Sequence, residues 1–310
     1  MENAVEVLNL TKSFGTVRSN QNISLSVKKG EILALLGENG SGKSTFVNML
    51  AGIYAPESGS IIIDGKQMLF ASPQEAISAG IGMVHQHFKL VEVMSALENI
   101  TLGERKAGFF INKARIRTKI EKLCGQFGFS VDLDKKVHSM AVSEKQTVEI
   151  IKMLYQGARI LILDEPTAVL TPQETEKLFA TLRRMKSEGC SVIIITHKLN
   201  EVMEISDRVA ILRKGKLAGI VNTAESSEEE VAGMMIGGKL IKKGLVIPKT
   251  AHSFVDDECV ECGASKSSGT IINADIEPTV PVAPPKNTTS QPESTAKPAP
   301  PKRFTRKPSM

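Results

Sequence analysis

One eight-residue stretch constrains this chain more than any other feature. It reads Gly-x-x-x-x-Gly-Lys-Ser and comprises Gly37, Glu38, Asn39, Gly40, Ser41, Gly42, Lys43 and Ser44. The apolar run 32–36 before it is typical of a buried strand, and 44–50 after it is typical of the first turns of a helix. Glycines let backbone approach an anion, and a helix N-terminus presents free N–H groups to it. The sequence therefore predicts a phosphate-binding loop, with Lys43 reaching the β- and γ-phosphates of a nucleotide and Ser44 giving Mg²⁺ a hydroxyl ligand.

Two adjacent carboxylates follow a second apolar run. Residues 160–163 predict a strand buried on both faces, and Asp164 and Glu165 come directly after it. Ligands of parallel α/β sheets bind beyond the carboxyl ends of the strands. We therefore expect Asp164 to hold Mg²⁺ through water and Glu165 to polarise the attacking water of a hydrolysis. The alternative is a solvated loop after an ordinary strand.

A third predicted strand, 192–195, runs into Thr196 and His197. A neutral imidazole donates a hydrogen bond through one nitrogen and is held in place through the other. We expect His197 to contact the γ-phosphate. The alternative is a structural histidine at a strand end.

The order of these motifs, with Gln86 between the phosphate loop and the carboxylates, resembles the nucleotide-binding subunits of ATP-binding-cassette (ABC) transporters. The resemblance covers residues 1 to about 240. Segments 81–90, 98–100 and 164–172 are most similar to importers of nucleosides and simple sugars, although Thr171 replaces the usual aspartate. The resemblance implies an α/β P-loop NTPase domain over 1–244: a RecA-like core with a small antiparallel β subdomain and an α-helical subdomain at about 88–155.

The resemblance also assigns roles to residues outside the three strand ends. Phe14 would stack on adenine, with a core aromatic as the alternative. Thr45 would join the nucleotide contacts, and Gln86 would sense both Mg²⁺ and phosphate. Its neighbours His85 and His87 are expected to pack or to face solvent.

The five-residue signature of the family, close to Leu-Ser-Gly-Gly-Gln, is altered in this chain. It reads Met140, Ala141, Val142, Ser143 and Glu144. In the family this segment contacts the nucleotide bound by the opposite cassette, so loss of the serine hydroxyl at Ala141 predicts one slow composite site. Ser143 would either donate to phosphate from its new position or, with Gln146, form a capping box for a helix over 144–155.

The resemblance implies several partners. They are membrane-spanning permease subunits, a second cassette, and a cargo-binding protein reached only indirectly. Because this chain carries one cassette, the second would come from another molecule, and a different cassette with an intact signature is favoured over a homodimer. A net charge of +5 and the absence of tryptophan do not favour nucleic acid.

Composition predicts a cytoplasmic protein, and the resemblance implies that it reaches the inner face of the cell membrane through its permease partner. The chain has no apolar run long enough for a membrane span and begins without a signal peptide.

Two alternative functions stay open: a soluble ABC ATPase acting on ribosomes or nucleic acid, and a subunit that clamps ATP with little hydrolysis.

Composition changes after about residue 245. Nine of the 14 prolines lie in 278–310, which ends in a basic segment. Such a segment cannot build a core, so 245–310 is predicted to be a disordered tail that is inert or, alternatively, docks on an acidic surface or on anionic lipid headgroups. Cys259 and Cys262 form a C-x-x-C pair. We interpret them as free thiols because a closed zinc site needs four ligands; the alternative is that the pair binds a metal or takes part in a redox reaction.

Overall fold

The computed structural model describes residues 2–103, 113–237, 254–255 and 258–259. The chain divides into two units, Met1–Gly244 and Leu245–Met310. In the second unit the described residues form two short antiparallel strands, with Phe254 opposite Cys259. The predicted disordered tail, including Cys262, otherwise lies outside the described residues.

Strands and helices alternate along most of the chain. In chain order they are β1 (Asn3–Phe14), β2 (Val17–Lys28), β3 (Ile32–Leu36), α1 (Lys43–Leu50), β4 (Ser58–Ile63), β5 (Lys66–Met68), α2 (Pro73–Ser78), β6 (Ile81–Val84), α3 (Ala96–Thr101), α4 (Lys113–Phe127), α5 (Val142–Tyr155), β7 (Ile160–Asp164), α6 (Pro172–Ser187), β8 (Ser191–Ile195), α7 (Leu199–Ile205), β9 (Arg208–Arg213), β10 (Lys216–Asn222), α8 (Glu228–Ile236), β11 (Phe254–Val255) and β12 (Glu258–Cys259).

A six-stranded sheet forms the centre of the first unit. Its strand order is β10-β9-β3-β8-β7-β6, and all neighbours are parallel except β9 and β10. The central strands β3, β7 and β8 are apolar and buried along almost their whole length. Burial on both faces explains why these strands read as continuous apolar runs rather than alternating ones.

Successive residues of the central strands pack into different layers. Leu33 and Leu35 pack with α1 and with the second sheet, which is antiparallel in the order β2-β1-β4-β5. Ile32 packs on the opposite face with residues of α5 and α6, including Ile150 and Phe179. Because strand side chains alternate between faces, one short apolar strand serves two cores. The predicted α/β architecture with an added antiparallel sheet is confirmed.

Helix α5 contacts two hydrophobic clusters. Ile150 and Leu154 pack toward the central sheet. Val148 and Ile151 pack against α3 and α4, on residues such as Ile100 and Ile120. Thus α5 joins the helical segment to the central sheet.

The N-termini of α6 and α5 can each be compared with a prediction made from the local sequence. A threonine followed by proline and, two positions later, glutamate is typical of a helix N-terminus, so Thr171, Pro172 and Glu174 predict a helix start. This prediction is confirmed: α6 begins at Pro172, and Thr171 Oγ1 accepts from the Glu174 N–H at 3.3 Å. The predicted capping box of Ser143 and Gln146 is wrong. Helix α5 begins at Val142, and the Glu144 carboxylate accepts the Ala141 N–H at 2.8 Å. Ser143 lies inside the first turn, and its hydroxyl donates instead to Glu174 Oε1 at 2.6 Å.

Candidate functional site

Four strands of the central sheet end at one edge, and each is followed by a predicted site residue. Gly37 follows β3, Gln86 follows β6, Glu165 follows β7 and His197 follows β8. A cavity of about 250 Å³ lies at this edge. It is lined by Ser19, Asn39, Gly40, Gly42, Lys43, Ser44, Thr45, Gln86, Glu165 and Ile195. Residues that are more than a hundred positions apart in the chain thus share one pocket.

The loop between β3 and α1 fits tightly against its neighbours. A Cβ atom at Gly42 would lie 2.4 Å from the Ser19 carbonyl oxygen, and one at Gly37 would lie 2.3 Å from that of Leu212. Gly42 also has a φ of 101°, in the left-handed region. Only glycine fits these two positions, and at Gly42 the backbone itself lines the pocket.

Lys43 begins α1 and is buried at the base of the cavity. Its Nζ donates to the Gly37 and Glu38 carbonyl oxygens at 2.6 and 3.0 Å. Burial lowers the pKa of Lys43, while the negative charges of Glu165 and Asp164 oppose that shift. An ammonium group is therefore held inside the loop, where an anionic ligand would stabilise its charge.

The two carboxylates after β7 differ in their surroundings. Burial, followed by the nearby Glu165 charge, raises the pKa of Asp164, and Lys43 acts in the opposite direction. Glu165 has a φ of 51°, which is uncommon for a residue other than glycine. Its N–H donates to Ile195 O at 2.9 Å, and its Oε1 lies 2.9 Å from His197 Nδ1. The backbone therefore turns sharply at Glu165 and aims its carboxylate at the end of β8.

Asp164 and the signature segment do not line the 250 Å³ cavity at the sheet edge. Asp164 lines a smaller space of about 70 Å³, together with Gln86 and Glu165. At the start of α5, Met140 is buried, Ala141 and Val142 are exposed, and Ser143 and Glu144 are half-buried. The Glu144 carboxylate also accepts from Lys135 Nζ.

Phe14 is 45% exposed and does not line the cavity. Its ring meets Tyr54 edge-on, with centroids 5.2 Å apart. Lys12 Nζ lies 5.5 Å from the ring centroid. Phe14 is thus partly accessible, but it does not share the cavity with Lys43, Gln86 and Glu165.

Two residues of β2 belong to the site and are not among those that the sequence predicts. Ser19 lines the cavity, and its hydroxyl donates to Thr45 Oγ1 at 2.7 Å. Asn20 is fully buried behind the loop, and its Nδ2 donates to Gly42 O at 3.2 Å. Both sit in a strand whose polar residues look like an ordinary solvated face, so no local signal singles them out.

Comparison with known proteins agrees with this arrangement. The family model described as "ABC transporter" matches residues 20–168. The nucleoside import ATP-binding protein NupA of Lactococcus lactis is 43% identical over 237 residues, covering 76% of this chain and 47% of the relative. The glucose import ATP-binding protein TsgD13 of Haloferax volcanii is 42% identical over 262 residues, covering 75% and 48%. The chain thus spans about half the length of these relatives.

A solved structure shares the fold over nearly its whole length. The ADP conformation of MJ1267, an ATP-binding cassette of an ABC transporter, has a TM-score of 0.66 and 25% identity. The match covers 75% of this chain and 94% of that one. Within the described residues, no helix combines the length and apolar character needed to cross a bilayer. The sequence matches, the shared fold and the motifs at the sheet edge together show that the chain belongs to the ATP-binding-cassette family.

Proposed function

We propose that this chain is the ATP-binding and ATP-hydrolysing subunit of an ABC importer. The observation that carries the proposal is the meeting of Lys43, Gln86 and Glu165 around one cavity, with His197 bonded to Glu165. A glycine-rich turn, a buried ammonium and two carboxylates at one sheet edge suit a bound triphosphate.

The phosphate loop and the start of α1 hold the nucleotide in this proposal. Backbone N–H groups of residues 37–45 receive the phosphates, and Lys43 exchanges its two carbonyl contacts for phosphate oxygens. Phe14, which is 45% exposed, stacks on adenine. Ser19 orients the Thr45 hydroxyl at the pocket wall.

Three side chains have the oxygen chemistry that magnesium prefers. They are Ser44, Gln86 and Asp164. Magnesium usually keeps several waters and takes few protein ligands beside phosphate, so these three side chains suffice for the protein's share of its ligands. When bound, Mg²⁺ supplies charge neutralisation at the phosphates.

Glu165 and His197 provide the groups for hydrolysis. Glu165 accepts a hydrogen bond from a water and orients it toward the terminal phosphate. The Glu165 carboxylate accepts the His197 Nδ1–H, so Nε2 donates to the terminal phosphate only from an imidazolium that carries a proton on both nitrogens. Lys43 and the loop N–H groups then stabilise the charge on the phosphate oxygens.

The altered signature supports one slow composite site. Ala141 has no hydroxyl, and the Ser143 hydroxyl already donates to Glu174 at 2.6 Å. A nucleotide bound by a partner cassette therefore loses one hydrogen bond from this segment. We propose that the second cassette is a different one with an intact signature, so that only one of the two sites is slow.

The cargo and the remaining partners follow from the relatives. Both relatives carry import in their names, one for nucleosides and one for glucose. We propose a nucleoside or simple sugar as cargo, permease subunits in the membrane, and an extracytoplasmic cargo-binding protein. The cassette would lie on the cytoplasmic face. A subunit that only clamps ATP is not favoured, because Glu165 and His197 are paired at the pocket.

The test uses the full chain, alone and co-expressed with its permease. Lys43→Ala should abolish nucleotide binding, and Glu165→Gln should keep binding but lower hydrolysis. Lys66→Ala, at an exposed position of β5, serves as the matched control. Uptake of labelled nucleosides and sugars, and co-purification from detergent-solubilised membrane, test the importer role. Unchanged binding and hydrolysis in both variants would overturn the nucleotide site, and purification without any membrane partner would overturn the importer role.

A further inference from the structure

One face of α5 reaches three other segments of the chain. Ser143, Gln146 and Glu149 are spaced three residues apart, which places them along one side of the helix. Each hydrogen-bonds outside the helix, to Glu174, Pro166 and Lys89 respectively. The last two partners lie in the loops that carry Glu165 and Gln86.

Gln146 holds the loop that follows β7. Its side chain is 4% exposed, and Nε2 donates to Pro166 O at 2.9 Å. Pro166 is the residue directly after Glu165, whose backbone is in the left-handed region. A loop with this conformation keeps it only when its surroundings fix it. Gln146 provides such a contact from the helical segment.

Glu149 holds the loop that follows β6. It is also 4% exposed, and its Oε1 accepts the backbone N–H of Lys89, three residues after Gln86. Burial raises the pKa of Glu149, and the hydrogen bond from the Lys89 N–H and the Lys152 and Lys89 charges act in the opposite direction. A buried carboxyl group at this place has a cost in free energy. Because this carboxylate bonds to the loop backbone, its role there is to fix the loop.

We propose that Gln146 and Glu149 are positioning residues. Through them, α5 holds the loop after β7, which carries Glu165, and the loop after β6, which carries Gln86. Because α5 also packs on α3 and α4, a displacement of the helical segment moves Glu165 and Gln86 together. The link to hydrolysis rests on the function proposed above; the mechanical link between α5 and the two loops does not.

The decisive variants remove each contact at nearly constant volume. Gln146→Leu removes the donor to Pro166, and Glu149→Leu removes the acceptor for Lys89. Glu149→Gln keeps an acceptor oxygen and is the rescue variant. The matched control is Gln126→Leu, because Gln126 is an exposed helix residue that bridges to Glu188 at 2.9 Å, far along the chain from either loop. Circular dichroism and thermal melting first show that each variant folds.

Two readouts separate positioning from binding. In steady-state hydrolysis by the full chain, Gln146→Leu and Glu149→Leu should lower kcat roughly 10- to 100-fold with KM changed less than about threefold, since a small misplacement of reactive groups affects the rate far more than the binding. Glu149→Gln and Gln126→Leu should keep kcat within about threefold. In hydrogen exchange without nucleotide, amides of 165–170 should exchange faster in Gln146→Leu, and those of 86–91 faster in Glu149→Leu.

The exchange experiment keeps the two proposals distinguishable. If the wild-type chain does not hydrolyse ATP, the proposed function fails. Faster exchange in the named loops of the variants would still support the inference that Gln146 and Glu149 hold these loops in place. If exchange in both loops equals that of wild type, or if Gln126→Leu accelerates it equally, the inference is overturned whatever the hydrolysis rate. A rise in KM with unchanged kcat would also overturn it, because that result indicates a binding contact rather than positioning.

Discussion

His197 Nδ1 lies 2.9 Å from Glu165 Oε1, so the side chains that follow two neighbouring parallel strands are bonded to each other. The contact fixes the orientation of the imidazole ring and presents Nε2 on its other side. Neither residue reaches this geometry alone, because each depends on the register of β7 with β8.

His197→Ala should lower kcat by about 10²-fold while nucleotide affinity stays close to wild type, since positioned proton-handling and charge-stabilising groups contribute at least that much. Steady-state hydrolysis and equilibrium binding of a fluorescent ATP analogue measure the two effects. His138→Ala, at an exposed position, is the control. A variant with full activity would show that His197 takes no part in hydrolysis.

Ala141→Ser should have two effects. As the residue before α5, a serine gains a side-chain acceptor for the first turn, so stability should rise by about 0.5–2 kcal/mol. In the purified chain without its partner cassette, two copies face each other and residue 141 of each contacts the nucleotide of the other. There the hydroxyl restores a charge-assisted hydrogen bond worth about 1.5–3 kcal/mol, so hydrolysis should rise roughly 10- to 100-fold. Thermal melting and hydrolysis rates report these separately. Ala141→Val lacks the hydroxyl and should show neither gain; an unchanged rate in Ala141→Ser would show that residue 141 does not limit turnover.

Several elements can be predicted from sequence because their signals are local. The run Ile32–Leu36 and the cap at Thr171 each lie within a few residues of the features that cause them. The sequence predicts strand β1 only over 5–10, whereas the strand extends over Asn3–Phe14. The difference has a physical cause: Asn9 has a φ of 51°, and the register with β2 shifts between Val7 and Leu10, so the alternation of buried and exposed residues breaks there.

Contacts between distant segments cannot be predicted in this way. Ser143 bonds to Glu174, 31 positions away, where the local pattern predicts a capping box instead. Asn20 supports Gly42 from another strand. Both hydrogen bonds depend on how strands and helices are arranged in space. A serine or asparagine within a polar segment does not indicate from the sequence which distant residue it will contact.

Asn20→Asp should destabilise the fold by at least about 2 kcal/mol at neutral pH, because it replaces the donor to Gly42 O with a buried carboxylate. Burial raises the pKa of such an acid, so the native state binds its proton more tightly than the unfolded state. Stability should therefore recover as pH falls and decline as pH rises. Urea unfolding at pH 5 and pH 8 measures this change. Asn200→Asp, at an exposed position, should show little of it; equal stability of the two variants would contradict the role of Asn20.

Glu149→Gln should raise the melting temperature at pH 7–8. The raised pKa of Glu149 means that the native wild-type protein binds a proton more tightly than the unfolded chain, so its stability falls as pH rises through that pKa. Glutamine keeps an acceptor for the Lys89 N–H without a buried charge. The gain should vanish near pH 4, where the wild-type carboxyl is protonated in both states. Glu176→Gln, on the exposed face of α6, should show no gain at either pH; a gain independent of pH would contradict this explanation.

The left-handed backbone at Glu165 has a consequence for engineering. A non-glycine residue in this region costs of order 1–3 kcal/mol, which glycine would largely avoid. Glu165→Gly should therefore melt at a higher temperature while losing hydrolysis, which calorimetry and a rate assay would establish together. A library of this protein selected for heat resistance alone would discard the glutamate early, so any thermostable version must be screened for turnover at every round.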